Sequence, residues 1–255
     1  MTQLSLACVA SASTRAQDGL KRLRLQHDFV PPEQADVIVA LGGDGFMLDS
    51  LHRYMSAQRP IYGMNLGTVG FLMNSFNEFT LQTRVAAAKA ERLSPLQVKA
   101  TDINGKTHEA LAFNEIAVLR HSNQSANLQI SVDGKIRMDK LMSDGVLICT
   151  PAGSTAYNLS VHGPIIPIGA DIVGLTPISP FRPRRWRGAL LPYNSVVEIT
   201  NLDPIKRPLA VSADSSEIRD AAHVRVSVDV SRSMTVLFDS GHSLEERIIN
   251  EQFSA

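Results

Sequence analysis

Asp44 is the carboxylate in this 255-residue sequence whose surroundings most invite chemistry. It stands in Gly42-Gly43-Asp44-Gly45, directly after the apolar run DVIVAL and directly before FMLDSLHRYMSA, where Phe46, Leu48, Leu51 and Tyr54 recur at helical spacing. A helix starting there offers unpaired N–H groups and about half a positive charge from its dipole. Glycine lets the backbone approach a phosphate closely because no Cβ intervenes, so Gly42, Gly43 and Gly45 form a candidate phosphate loop. A carboxylate in such a loop repels an anion unless it takes a proton or holds a cation, which points to Asp44 as a catalytic base. A free aspartate has a pKa of about 3.9, so this base would act late, once an attacking hydroxyl has become more acidic in the transition state. The plain alternative is a helix-capping turn, a use worth about 1 kcal/mol. The loop is neither the six-position dinucleotide fingerprint nor a P-loop: before Gly105-Lys106-Thr107, Ala100 stands where the first P-loop glycine belongs.

A second concentration of polar groups runs from Asp144 to Ser160, where the apolar GVLICT leads into Pro151-Ala152-Gly153-Ser154-Thr155-Ala156-Tyr157-Asn158-Leu159-Ser160. Hydroxyls, a phenol and an amide packed into one turn suit a ribose and a base, although Ser154 or Thr155 can equally serve as a helix N-cap. Asn114-Glu115, beside the run IAVLR, could hold vicinal sugar hydroxyls, but the pair means little alone. The basic run Arg182-Pro183-Arg184-Arg185-Trp186-Arg187 could meet a polyphosphate, a neighbouring subunit or nucleic acid, or simply face solvent.

The elements that must position these residues fall into two regions. From residue 1 to 95, apolar runs (LSLACVA, DVIVAL, PIYGMNL) alternate with helical stretches, the pattern of a parallel α/β sheet. VAAAKAERL, at about 85 to 93, reads as a further helix stopped by Pro95. From 96 to 238, short runs rich in Val, Ile and Leu are separated by turns such as Asn104-Gly105 and Asp133-Gly134, which predicts an antiparallel β-rich domain. In the remaining segment, 239 to 255, Ser243 stands three residues before Glu246, a capping-box pattern that predicts a helix.

At 44% hydrophobic the chain can bury a sizeable core, and 25 basic against 25 acidic residues leave no net field that favours nucleic acid or an anionic membrane. Cys8 and Cys149 each sit in an apolar run with no paired spacing, so both read as core residues. With neither a signal-like opening nor an 18-residue apolar run, the expected location is the cytoplasm.

Taken in order, GGDG at 42 to 45, NLGTVGFL at 65 to 72, NE at 114 to 115, SDG at 143 to 145 and TPAGSTAYNLS at 150 to 160 resemble the NAD kinase family. HGPIIP at 162 to 167 and TPISPF at 176 to 181 continue the likeness. GGDG alone is shared with diacylglycerol-type lipid kinases and phosphofructokinases, whereas its combination with NE and TPAGSTAY is highly specific. The resemblance implies an N-terminal Rossmann-like α/β domain, a C-terminal β-sandwich and a last segment returning to the first domain. It implies phosphorylation of NAD on the 2′-hydroxyl of its adenosine ribose, with ATP or polyphosphate as donor and Mg²⁺ or Mn²⁺ held mainly by donor phosphates rather than by a protein cage.

Carried over residue by residue, Asp44 would accept the proton, Gly45 would contact NAD beside it, and Phe71 would pack on the adenine side. Asn114 and Glu115 would hold ribose hydroxyls, and Asp144 would meet the nicotinamide end. Ala152, Thr155, Ala156, Tyr157, Asn158, Leu159 and Ser160 would line the adenine and ribose pocket. Two positions depart from the pattern: Met142 replaces a basic residue common two places before the SDG aspartate, and His162-Gly163 replaces Gly-Gly. His162 reads as structural, and Asp214 stands where the family often has an Asp near the site, with no step assigned to it. The implied partners are NAD and ATP, with no nucleic acid or membrane, in a homo-oligomer (dimer or tetramer). A lipid kinase sharing GGDG is one rival, distinguished by an apolar cleft or a basic membrane-facing helix. The other is a sensor that binds NAD without turnover, which would have no need of the Asp44 base.

Overall fold

The structure is a computed structural model and describes residues 4–67 and 70–240. Two compact units emerge, one running to Leu93 and resuming at Arg232, the other spanning Ser94–Ser231. The segment carrying Ser243 and Glu246, expected to be helical, lies outside the described residues.

The first unit is built on strands β1 (Leu6–Ala10), β2 (Val37–Gly42) and β3 (Ile61–Asn65), crossed by helices α1 (Thr14–Arg24) and α2 (Asp44–Tyr54). The three strands pair in parallel in that order. Strand β2 is buried along its whole length, which is why VIVAL is continuously apolar rather than alternating. Ser13 caps α1 by accepting from Ala16 N. A short strand, β4 (Asn74–Ser75), adds to β3.

Residues 85 to 93, read from sequence as one helix, divide. Helix α3 (Leu81–Ala87) ends and strand β5 (Lys89–Leu93) follows at once. Sheet pairing overrides the helix preference of Ala, Lys and Glu here, because β5 finds an antiparallel partner elsewhere in the chain.

The second unit opens with β6 (Leu96–Asp102), β7 (Thr107–Ala112), β8 (Glu115–Arg120), β9 (Ala126–Val132), β10 (Lys135–Ser143) and β11 (Gly145–Cys149). A 3₁₀ turn (Ala152–Thr155) and one helical turn, α4 (Tyr157–Ser160), come next. Then follow β12 (Ile172–Ile178), β13 (Ala189–Pro192), β14 (Val197–Asn201), β15 (Leu209–Ala213), β16 (Ser216–Arg219) and β17 (Ala221–Val228). These strands form two antiparallel sheets, β10-β9-β14-β17-β6-β7 and β13-β12-β11-β8-β15-β16. Their inner faces share one core, with Val98, Leu128, Ile199 and Val224 from one sheet packed with Ile116, Val118, Ile148 and Val211 from the other.

The chain then returns to the first unit as β18 (Met234–Phe238), parallel to β3 and antiparallel to β5, with Leu93 opposite Met234 and Lys89 opposite Phe238. Composition alone had carried the β-rich region on to residue 238. Cys149 is buried, but Cys8 is only partly so, and burial pushes both thiols up to about 12. Among the described residues, no helix is long and apolar enough to cross a membrane.

Candidate functional site

In the first unit, Gly42-Gly43-Asp44-Gly45 occupies the turn from β2 into α2, at the carboxyl end of a parallel strand, where open α/β sheets place their ligands. Gly43 is the N-cap and Asp44 the first helical residue. The turn abuts the loop after β3: Leu66 N donates to Gly42 O at 2.8 Å, and Gly67 N to Asn65 Oδ1 at 2.8 Å. Asp44 is partly buried and its carboxylate is held at both oxygens, Oδ2 accepting from Phe71 N at 2.8 Å and Oδ1 from Leu72 N at 3.0 Å. The side chain therefore fixes the 70–72 loop instead of capping its own helix. The glycines divide by role. A Cβ on Gly42 would lie 2.7 Å from the Phe46 Cβ, whereas one on Gly43 or Gly45 would meet nothing within 4 Å among the described residues. Packing requires Gly42, and the other two leave a bare backbone. Phe71 enters through its backbone N–H, and residues 68 and 69 of the same motif lie outside the described set.

In the second unit, cross-strand register gathers the other residues at one end of a sheet. Glu115, first in β8, lies opposite Cys149, last in β11, and Ile116 lies opposite Ala213, last in β15. Thr150 ties the loop after β11 to β8, its N–H donating to Asn114 O and its hydroxyl to Phe113 O, at 2.9 and 2.6 Å. Gly153 rests so closely on Asn114 that a Cβ would fall 2.1 Å from the Asn114 carbonyl oxygen. Ser154 is wholly buried, its hydroxyl donating to Pro151 O and accepting from Ile166 N. Neither Ser154 nor Thr155 caps α4, since that helix has no side-chain cap. Asn158, expected in the pocket lining, is also wholly buried: its amide donates to Ser154 O and Pro164 O and accepts from the Thr176 hydroxyl. It shapes the loop from inside. Ala152 is nearly buried, Thr155, Ala156, Tyr157 and Leu159 are partly exposed, and Ser160 is open to solvent.

Glu115 is the least satisfied group in this cluster. Its Oε2 is buried without a hydrogen-bond partner. Burial, and then the charge of Asp214, push its carboxyl up to about 7 against the pull of the Tyr157 backbone N–H. An orphaned carboxylate oxygen beside an amide matches the vicinal hydroxyls of a ribose, which would supply the missing donors. The Tyr157 phenol is raised too, by burial and then by Asp144 and Glu115.

Two residues that sequence reasoning left aside complete the arrangement. Arg120 Nε donates to Asp144 Oδ1, placing a cation beside Asp144 where Met142 brings none. The signal was strand register, since Leu119 lies opposite Gly145. The Asp214 carboxylate accepts from Phe113 N at 2.7 Å and from Asn114 N at 3.1 Å. His162 adopts a left-handed φ of 64°, a backbone position that favours glycine and so explains the Gly-Gly usual there. In the basic run all four arginines are exposed, Arg182 and Arg184 stack over Phe181, and the Arg182 backbone bonds to Met142. Among the described residues, no group of three or more His, Cys, Asp or Glu is placed to hold a metal ion.

Comparison with known proteins bears on both units. Residues 6–93 match the ATP-NAD kinase N-terminal domain and residues 113–239 the ATP-NAD kinase C-terminal domain. The NAD kinase of Hyphomonas neptunium is 54% identical over 254 residues, covering 100% of both chains. That of Caulobacter vibrioides is 53% identical, covering 100% of this chain and 97% of its own. Among solved structures, yeast NADH kinase complexed with NADH superimposes with a TM-score of 0.83 at 22% identity, covering 100% of this chain and 89% of its own. An Archaeoglobus fulgidus NAD kinase in complex with ATP gives 0.75 at 24%, covering 97% and 98%. These two likenesses speak to the fold, while the family models and the near-full-length relatives decide against a lipid kinase or a silent sensor. The chain belongs to the NAD kinase family, enzymes that phosphorylate NAD with ATP.

Proposed function

We propose that the chain transfers the terminal phosphoryl group of ATP to the 2′-hydroxyl of the adenosine ribose of NAD, with Asp44 as the proton acceptor. The observation that carries this reading is a carboxylate fixed at both oxygens by backbone N–H groups, in a loop whose Gly43 and Gly45 leave room for phosphate. The two N–H bonds hold the Asp44 carboxylate in one orientation, ready for the ribose proton. Proton transfer at Asp44 then accompanies in-line attack of the hydroxyl oxygen on phosphorus.

The second unit would hold the acceptor. Asn114 and Glu115 bind ribose hydroxyls, Asp144 with Arg120 faces the nicotinamide end, and Ala152 with the 155–160 turn forms the adenosine pocket, Asn158 shaping it from behind. Mg²⁺ or Mn²⁺ carried on the donor phosphates would neutralise their charge. A cytoplasmic homo-oligomer completes the reading.

The test is to incubate the protein with NAD, Mg²⁺ and either ATP or polyphosphate, and to assay the product with an NADP-specific dehydrogenase. Product that the dehydrogenase reduces confirms 2′-phosphorylation, and a phosphorylated dinucleotide that it rejects contradicts the assigned hydroxyl. The polyphosphate arm decides the breadth of the donor.

A further inference from the structure

We propose that Asp214 is a positioning residue for NAD recognition, whose carboxylate fixes the Phe113–Asn114 backbone and whose negative charge stands against the buried carboxylate of Glu115. This rests on the reading that Asn114 and Glu115 hold ribose hydroxyls. Asp214 follows β15, and Ala213 lies opposite Ser216, so Asp214 and Ser215 form a two-residue hairpin turn. Asp214 adopts a φ of 46°, the left-handed conformation that such turns demand and that Asp and Asn tolerate best. Turn geometry alone accounts for the presence of an Asp or an Asn. It does not account for where the carboxylate goes: instead of bonding locally, it reaches about a hundred residues back along the chain to accept two consecutive backbone N–H groups, Phe113 N at 2.7 Å and Asn114 N at 3.1 Å.

Those two amides immediately precede Glu115. Thr150 holds the carbonyls of the same two residues, and Gly153 packs on Asn114 from the loop side. The Asn114–Glu115 pair is thus clamped, with Asp214 supplying a charged group of the clamp.

The second consequence is electrostatic. The titratable groups facing Glu115 are Asp214 from the β15–β16 turn, Tyr157 from α4 and Cys149 opposite it on β11, with Asp144 coupled to the same phenol. None of these is a cation. Asp214 is the charged neighbour that, after burial, holds the Glu115 carboxyl near neutrality, at about 7. A neutral Glu115 accepts ribose hydroxyls less well than a carboxylate does, so affinity for NAD should strengthen as pH rises through that value. Asp214 therefore fixes the geometry of the pair and adds to burial in raising the pH range over which it binds.

The variant Asp214→Asn keeps the left-handed preference and one oxygen acceptor while removing the charge. Asp214→Glu keeps the charge while displacing it from the two amides. NAD affinity is measured by calorimetry, and KM and kcat by NADP formation at saturating ATP and Mg²⁺, from pH 5.5 to 9, with Glu115→Gln alongside. In wild type, affinity should rise through an inflection near neutrality that Glu115→Gln abolishes. Asp214→Asn should raise the KM for NAD about tenfold through the lost charge-assisted bonds, leave kcat within about threefold because no reacting atom is touched, and move the inflection to lower pH. Asp214→Glu should raise KM with the inflection kept, and it carries the test if the Asn variant does not fold.

An Asp214→Asn variant with raised KM and lowered melting temperature but an unmoved inflection would reduce Asp214 to a turn residue and overturn the proposal. So would an unchanged KM in both Asp214 variants. If Glu115→Gln binds NAD as wild type does at every pH, the underlying reading of Glu115 fails first, and this proposal falls with it. If Glu115→Gln loses the inflection while both Asp214 variants behave as wild type, only the proposal falls.

Discussion

At the scale of single residues, the glycines show how one residue type serves opposed ends. Gly45 lies inside the first turn of α2, and a Cβ there would meet none of the described residues, so Gly45→Ala should fold at least as well as wild type, gaining about 0.4 to 1 kcal/mol from a stiffer unfolded chain. The added methyl projects where phosphate should approach, and NADP formation should fall at least about tenfold. Thermal unfolding and turnover measured on one preparation check both halves, and a variant with lower melting temperature and intact activity contradicts this division. Gly153→Ala should do the reverse and destabilise by about 1 to 3 kcal/mol, because its Cβ would collide with the Asn114 backbone. Asp44, Asn114 and Glu115 stood out as candidates in sequence because their chemistry is advertised by neighbours in the chain. Arg120 did not, and Asp214 did only by resemblance with no step assigned, because their partners, Asp144 and the Phe113–Asn114 amides, lie 24 and about a hundred residues away and are brought together only by strand register.

At the scale of elements, periodicity gave the alternation of β1 to β3 with their helices and the run of short strands after Leu96, since one face or both faces of each must be apolar. It misread Lys89–Leu93, whose strand state is decided by β18, some 140 residues later. The end of β18 is fastened by a buried polar network. The Tyr62 hydroxyl donates to Asp239 Oδ1 at 2.6 Å, and Arg84 donates from Nε to Oδ1 at 3.2 Å and from a terminal nitrogen to Oδ2 at 2.6 Å. Asn74 links the same end to β3, donating to Gly63 O and Leu237 O and accepting from Asp239 N. With side chains only 17% and 12% exposed, Arg84 and Asp239 form a pair whose disruption strands a charge. Arg84→Ala should cost about 3 kcal/mol in denaturant unfolding. Lys21→Ala, which breaks the solvent-exposed Lys21–Asp18 pair, should cost no more than about 0.5 kcal/mol. Equal costs would refute this ranking.

At the scale of the whole molecule, the raised carboxyl of Glu115 links folding to pH. The folded chain holds this proton more tightly than the unfolded chain, where a glutamate titrates near 4.5. Its contribution to stability is therefore complete below about 4.5 and is lost as pH rises through about 7, on the order of 3 kcal/mol at most. Glu115→Gln mimics the protonated form, so without NAD its stability advantage over wild type should be small at pH 5 and grow toward pH 8. A gap independent of pH would contradict the assignment. The two-region organisation and the family were legible because the motifs are dense and ordered along the chain, whereas the return of β18 to the first sheet leaves no local mark. The central claim is that Asp44 takes the ribose proton, and the most direct measurement is the kcat of Asp44→Asn for NADP formation, with NAD binding measured alongside. The account predicts a kcat lower by at least about 10²-fold with NAD affinity within about threefold of wild type, and a kcat within threefold of wild type would contradict it.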